Sequence, residues 1–241
     1  MHFQDLGRID YAAAWELQTK LFQATIDRKL ANRDKPEVEQ IPTEDHLLFC
    51  EHPHVYTLGK SGKPSHLLLN EQGLREKGVQ FFPIDRGGDI TYHGPGQLVV
   101  YGIIGLRDWG IGPLDYVRGL EEVVIGVMAD LGLQGERSPL GRGVWAGSAK
   151  VASVGINVRR GVSMHGIAVN VATDLGPFGL INPCGMADVR MTSLAALLGR
   201  QVAMNRAEES FLDQFRRVFV CETTSGPLPA DCDPEAETAR A

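Results

Sequence analysis

At 241 residues, with 43% hydrophobic and 22% charged side chains, the chain has the composition of a folded globular protein long enough to bury a sizeable core. A formal charge of −6 excludes a general nucleic-acid binder, which needs a basic surface to neutralise phosphates. No apolar run approaches the ~20 residues that span a bilayer, and acidic and polar side chains near the start break any signal-peptide pattern, so no membrane role is expected. Cys50, Cys184, Cys221 and Cys232 form neither a CxxC pair nor a small secreted framework. Reduced thiols and a cytoplasmic location are the expectation.

The elements follow in chain order. Asp10 can cap a helix over 11–30, with Trp15, Phe22, Ile26 and Leu30 on one side. Residues 32–43, polar and holding two prolines, read as a loop. Strands are predicted at 46–50 and 55–58, a helix near 70–77, and buried strands rich in Val, Ile and Phe at 79–84 and 97–104. Pro113 at a first-turn position announces a second long helix, along which Leu114, Val117, Val124, Met128 and Leu131 recur at helical spacing as far as Gly132. From 142 to 171 the period changes to two, with turn residues at Gly147-Ser148 and Arg160-Gly161, which predicts a meander of three strands. Thr192 or Ser193 can cap a short helix stopped by Gly199, and Phe211, Leu212, Phe215, Val218 and Phe219 mark a last amphipathic one. The fold class is α/β (α+β), with mixed, mainly antiparallel sheets flanked by helices. Residues 1–222 form one expected catalytic domain and 223–241, poor in large apolar side chains, an expected disordered tail.

Three separated segments carry chemistry. Cys184 stands between Pro183 and Gly185, the setting of a turn rather than a packed strand, where backbone amides favour a thiolate. Cys50, in an apolar strand, and Cys221, after an apolar helix, fit the ordinary role of cysteine as a small buried hydrophobe. Lys150 falls by strand alternation on the face of Ala152, Val154, Ile156 and Val158. A surface lysine is the common outcome for this residue type. If the aliphatic face is covered, however, the charged amine is disfavoured, its pKa falls, and it can take a proton from a thiol. In Arg86-Gly87-Gly88-Asp89-Ile90-Thr91-Tyr92-His93-Gly94-Pro95-Gly96-Gln97, Gly87 and Gly88 let the backbone approach a ligand closely, and Tyr92 and His93 are expected on a pocket wall.

Other motifs fail. Gly59-Lys60-Ser61 resembles the end of a phosphate loop, but His54 stands where the first glycine belongs. Gly141-Arg142-Gly143-Val144-Trp145-Ala146 formally fits a dinucleotide fingerprint, yet strand alternation follows it instead of a helix. His52 and His54 have no companions at zinc spacing, so no metal is expected.

Read together with Glu51-His52-Pro53-His54-Val55-Tyr56-Thr57-Leu58-Gly59 and Thr192-Ser193-Leu194, the three segments resemble the lipoyl(octanoyl)transferase family over most of the chain between Leu47 and Arg200. The resemblance implies the α/β catalytic domain of biotin and lipoate protein ligases. It implies Cys184 as the thioester-forming residue and Lys150 as the lysine that lowers its pKa. It also implies substrate contacts from Arg86, Gly87, Gly88, Asp89, Ile90, Thr91, Tyr92 and His93, from Ser153, Val154 and Gly155, and from Gly166, Ile167 and Ala168. No cofactor is implied, neither ATP nor metal, because the octanoyl group arrives on the phosphopantetheine arm of acyl carrier protein. The implied acceptors are lipoyl domains of the acyltransferase subunits of 2-oxoacid dehydrogenases and glycine cleavage H protein. Acidic carrier proteins suggest docking near Arg142, Arg159 and Arg160. Three rivals stay open at this level: an ATP-dependent lipoate or biotin protein ligase, a cysteine acyl-thioester hydrolase with His93 or His165 as base, and a non-catalytic acyl-binding module in which Cys184 is inert packing.

Overall fold

The computed structural model describes residues 1–182 and 189–226; residues 183–188 and 227–241 lie outside the described residues. In chain order the strands are β1 (His2–Arg8), β2 (His46–Glu51), β3 (Val55–Leu58), β4 (Gln80–Pro83), β5 (Ile90–His93), β6 (Gln97–Ile103), β7 (Glu136–Ser138), β8 (Gly141–Ala146), β9 (Ala149–Arg159), β10 (Val162–Asn170), β11 (Arg190–Met191) and β12 (Thr224–Ser225). The α-helices are α1 (Tyr11–Asn32), α2 (Glu71–Glu76), α3 (Pro113–Asp130), α4 (Leu194–Leu198) and α5 (Met204–Phe219). Among the described residues, nine strands join one sheet in the order β12-β1-β2-β6-β10-β9-β8-β7, with β11 paired to β9; a second sheet runs β4-β3-β5. The central pairings β2–β6, β6–β10, β10–β9 and β9–β8 are antiparallel, whereas β1 joins both β2 and β12 in parallel.

The large sheet is covered on both faces, which is why β6 reads as a near-continuous apolar run and β10, despite Ser163 and His165, is buried along its whole length. Alternate residues divide between two cores. Leu47, Phe49, Leu98, Val100, Ile167 and Val169 pack against α3 and α5, while Leu48, Cys50, Val99, Tyr101, Ile103 and Ala168 pack against α1. The predicted meander is present as β8, β9 and β10, and its Arg160-Gly161 turn has positive φ at both residues, 54° and 80°. Such a turn matches the twist of the strands it joins. Ser193 Oγ accepts from Ala196 N to cap α4, and Gly199 ends it in the left-handed region, as the sequence indicated.

Four local expectations change. Asp10 occupies the cap position of α1 without a side-chain cap bond, and the buried seam runs through Tyr11, Ala14, Gln18, Leu21, Phe22, Thr25 and Ile26. At about 100° per residue this seam leaves Trp15 at its margin and carries Leu30 out to 41% exposure. The polar stretch after α1 contains a short 3₁₀ turn, Glu37–Glu39. Of the predicted buried strand at 79–84, β4 is an edge strand, half-exposed, closed by Pro83. The boundary at residue 222 falls within ordered structure, because Thr224 and Ser225 pair with His2 and Phe3 at the edge of the large sheet. Residues 227–241 of the expected tail lie outside the described residues. No helix among the described residues is long and apolar enough to cross a membrane.

Phe211 of α5 is fully buried and meets the Phe49 ring edge-on, centroids 5.4 Å apart, so it ties the last helix to the middle of the sheet. Phe211→Ala should lower unfolding free energy by roughly 3–5 kcal/mol in urea denaturation, the range for emptying a large aromatic site; a loss under about 1 kcal/mol would show that α5 is not part of the cooperative core.

Candidate active site

Lys150 owes its position to an irregularity in β9. Trp145 pairs with Lys150 and Val144 with Ala152, so Val151 is an extra residue on β9. Val151 and Ala152 are both fully buried in the core under α3, and the strand's alternation is reset between them and Lys150. The expected shared face of Lys150 with Ala152, Val154, Ile156 and Val158 is therefore corrected: those residues pack toward the α3 core, and Lys150 lines a cavity on the other side of the sheet. Its Nζ lies 5.4 Å from the centre of the Trp145 ring. Gly143 on the neighbouring strand leaves room for the amine's stem, since a Cβ there would stand 2.8 Å from Lys150 Cε and 2.1 Å from the Ala152 carbonyl oxygen. Behind it, the buried Glu121 carboxylate of α3 accepts from Gly143 N at 2.9 Å and from Arg137 at 3.1 Å, which holds β8 in place.

The cavity, about 230 Å³, brings together most of what the sequence singled out. Its walls include Arg86, Gly88, Asp89, Ile90, Thr91 and His93, then Ser153, Val154 and Gly155, then Gly166, Ile167 and Ala168, with Lys150 and Arg142. The Arg86 segment crosses β9 closely: Gly87 N donates to Ile156 O at 2.8 Å, and a Cβ on Gly155 would lie 2.7 Å from Gly87 O. Two of the singled-out residues do not line the cavity. Gly87 serves the crossing, and alternation along β5 turns Tyr92 away into the core of the small sheet, beside Tyr56 and Phe178, with its hydroxyl 2.7 Å from His54 Nδ1. Cys184 lies outside the described residues. The chain on either side of it is described: Asn182 N donates to His66 O at 2.8 Å, and Val189 and Met191 line the cavity.

Part of the deep wall was not legible. Tyr11 and Tyr101 read as core residues in a helix and a strand, yet with His93, His165 and Arg86 they make a buried polar lining. Each polar group but one has a stated partner. Tyr101 Oη lies 2.7 Å from His52 Nε2, and Arg86 donates to Thr57 O at 2.6 Å, Thr57 Oγ1 at 2.9 Å and Gly87 O at 3.1 Å. His165 takes φ 62°, unusual for a residue with a side chain, and its Nε2 lies 2.8 Å from Asp85 Oδ1. Gln97 Nε2 donates to Tyr92 O and to Asn170 Oδ1, so its oxygen is left to accept from His93 Nδ1 at 2.8 Å, which fixes the tautomer.

Burial sets the charge state of this wall. It pushes His93 down to about 3, helped by the neighbouring His52 and Arg86, and His52 to about 4. Burial also lowers His165 despite the Asp85 carboxylate, while the hydrogen bond from His165 holds Asp85 below the usual range. Both directions agree with a neutral imidazole donating to an ionised carboxylate. Burial lowers Arg86 and raises the hydroxyls of Tyr11 and Tyr101. Of the other cysteines, Cys50 is fully buried with its thiol pushed well up by desolvation, and half-buried Cys221 is raised for the same reason. Cys232 lies outside the described residues. Among the described residues no three His, Cys, Asp or Glu side chains cluster as a metal site.

A cavity with aliphatic and aromatic side chains in its wall, a lysine among them, and with Val189 and Met191 also lining it, is suited to handling an acyl chain. Residues 10–216 match the family model of the lipoyl protein ligase A/B catalytic domain, and the chain belongs to that family. An octanoyltransferase of Cytophaga hutchinsonii is 45% identical over 222 residues, covering 90% of this chain and 91% of the relative. One of Flavobacterium psychrophilum is 44% identical over 227 residues, covering 92% and 97%. Among solved structures, a lipoate-protein ligase A bound with ATP superposes with a TM-score of 0.74 at 15% identity over 99% of this chain and 94% of the other, which shows a shared fold.

The depressed imidazoles have a consequence for stability. Below the ordinary histidine value the unfolded chain binds protons that folded His93 and His52 refuse, so stability is lost as pH falls from about 6.5 toward 4. Each contributes at most roughly 1.4 kcal/mol per pH unit in that window. Urea denaturation from pH 7.5 to 4.5 should show this slope, and His52→Gln should flatten it; an unchanged slope would mean that His52 is protonated in the fold.

Proposed function

We propose that this chain moves an octanoyl group from octanoyl-acyl carrier protein to a lysine of a lipoyl domain, through a thioester on Cys184, with neither ATP nor metal. Octanoyl transfer is the activity for which its relatives at 44–45% identity are named. The observation that carries the reading is Lys150 at the rim of an acyl-sized cavity whose wall also includes Val189 and Met191, next after the cysteine-bearing stretch.

In the first half-reaction Lys150 Nζ, acting as base, takes the proton of Cys184 Sγ while the sulfur attacks the thioester carbonyl. The tetrahedral intermediate collapses, the pantetheine sulfur leaves, and the Lys150 ammonium returns the proton to it. In the second half, the acceptor lysine attacks octanoyl-Cys184, Lys150 removes its proton, and Cys184 departs as the thiol. Exchange of one thioester for another is nearly isoenergetic and amide formation from a thioester is downhill, so no nucleotide is required. Val99 and Ala168, aliphatic side chains on the α1 side of the sheet that also line the cavity, suit the hydrocarbon chain. The proposed acceptors are the acyltransferase subunits of 2-oxoacid dehydrogenases and glycine cleavage H protein, and a cytoplasmic location belongs to the same reading.

Arg142, Arg159 and Arg160 do not form one docking patch. Arg142 is at the cavity, whereas Arg159 sits at the far end of β9, its guanidinium over Phe22 and bonded to Gln23 Oε1 at 2.6 Å. Nine residues of strand, about 30 Å, separate it from Lys150. Arg142 is thus the residue of the three suited to an acidic carrier. Arg142→Glu should raise KM for the carrier protein about ten-fold at low salt, with Arg159→Glu/Arg160→Glu changing it little. The opposite ranking would move the docking surface to the other end of the sheet.

Intact-mass measurement after mixing with octanoyl-acyl carrier protein, without ATP, should show one octanoyl adduct on the wild type and none on Cys184→Ser. Lys150→Ala should fold normally and lose about 10²–10⁴-fold in transfer, the range for removal of a general base. An adduct on Cys184→Ser, or none on the wild type, would sink the thioester route; free octanoate as main product would make the enzyme a hydrolase.

A further inference from the structure

β9 changes partner at Lys150. Along most of its length its neighbour is β10, and the last paired residues there are Ala152 and Val169. One residue later β10 ends at Asn170, and β11 takes over from the parallel side, Met191 beside Lys150 and Arg190 beside Ala149. A strand end of this kind leaves backbone groups without a sheet partner unless something bridges the gap.

Asn170 is that bridge. It is 1% exposed, and its side-chain amide spans the two elements. Oδ1 accepts from Gln97 Nε2 at 2.9 Å, and Nδ2 donates to Thr192 O at 3.0 Å. Thr192 N in turn donates to Lys150 O at 2.9 Å. Gln97 is itself fixed by Tyr92 O and by His93 Nδ1, so the orientation of every amide in this chain is determined. β11 spans two residues and has few contacts of its own to keep it in register.

We infer that Asn170 is a positioning residue for Lys150: acting through Thr192, it sets the backbone of β9 where the bulge at Val151 aims the lysine into the cavity. It touches no reacting atom. The inference rests on Lys150 serving as the base proposed above. Because the link runs through the Lys150 carbonyl, breaking it at Thr192 displaces the amine and leaves the bonds of the acyl-binding wall in place, whereas loss of the Asn170 side chain also removes the acceptor of Gln97 Nε2; a displacement of about 1 Å at a reacting group costs on the order of 10²-fold.

Two variants break the same link at different bonds. Asn170→Ala removes the donor to Thr192 O, while Thr192→Pro removes the N–H that Lys150 O accepts, at some cost in stability because that N–H is bonded. In both, thioester formation at saturating octanoyl-carrier protein should fall at least about ten-fold, with KM within about two-fold and thermal unfolding still above the assay temperature. The pH midpoint of the rate should move with it. Acetic anhydride labelling of Lys150 against pH, read by peptide mass, measures the amine itself and should change in both variants. Wild-type rates and a wild-type labelling curve in Asn170→Ala and Thr192→Pro would overturn the inference. If the wild type formed no octanoyl adduct, the thioester reading would fail, and Lys150 labelling would still decide whether Asn170 governs the lysine.

Discussion

One inserted residue reconciles two demands on β9. The strand must bury Ala152, Val154, Ile156 and Val158 against the α3 core, and it must also present an amine to the opposite side. Regular alternation allows only one of these, because residues two apart share a face. Val151 breaks the parity, and it does so where β8, braced by Glu121 at Gly143, has no side chain to obstruct Lys150. The bulge lies at the end of β9 near β11 rather than in mid-sheet, so the disrupted ladder costs few hydrogen bonds. Placing a polar group there also avoids burying an ammonium in the dry layer beneath α3, which would cost several kcal/mol.

The cavity's deep wall follows a different rule. Five polar side chains from α1, β5, β6, β10 and the Arg86 segment lie together out of water, which is unfavourable unless each is paired. For four of the five the pairing is made within the protein: His52 with Tyr101, Gln97 with His93, Asp85 with His165, Thr57 with Arg86. The imidazoles stay neutral, so the wall is polar in composition yet offers little net charge to a ligand beyond Arg86. A hydrocarbon chain entering such a cavity does not have to displace a protein hydrogen bond. The wall is rigid for the same reason, since partners in a satisfied network hold one another's rotamers.

Much of this architecture was legible. Period-two alternation and the Gly147-Ser148 and Arg160-Gly161 turns gave the β8–β10 meander, and Pro113, Ser193 and Gly199 marked helix ends, because these signals are local. The glycine-rich Arg86 segment pointed to the wall at His93 from its own residues, and the family resemblance pointed to Arg86, Asp89, Ser153 and Gly166. What escaped was non-local. The parity shift at Val151 depends on the register with β8, the role of Asn170 on which strand arrives next to β9, and Tyr11 and Tyr101 are chemically indistinguishable from core aromatics until the fold brings them together. Tyr92 failed for the converse reason: it sits in the motif, but β5 pairs with β3 and turns it into another core.

The same non-locality shapes how the site can fail. Its groups come from residues 11, 86–93, 99–101, 150–155 and 165–168, and they are joined by bonds such as Arg86 to Thr57, Gln97 to Asn170 and Gly87 to Ile156 that span tens of residues. Sheet pairing has to be complete before those bonds can form, so the cavity cannot assemble ahead of the β6–β10–β9 core. Nor can the wall loosen without opening backbone ladders in that core, which places it toward the high end of local stability. The two ends of the stretch that carries Cys184 differ: they attach through short elements, the 3₁₀ turn at Pro64–His66 and the two-residue β11, whose few bonds open at less cost. Rigidity is therefore concentrated in the walls and the lysine-bearing strand.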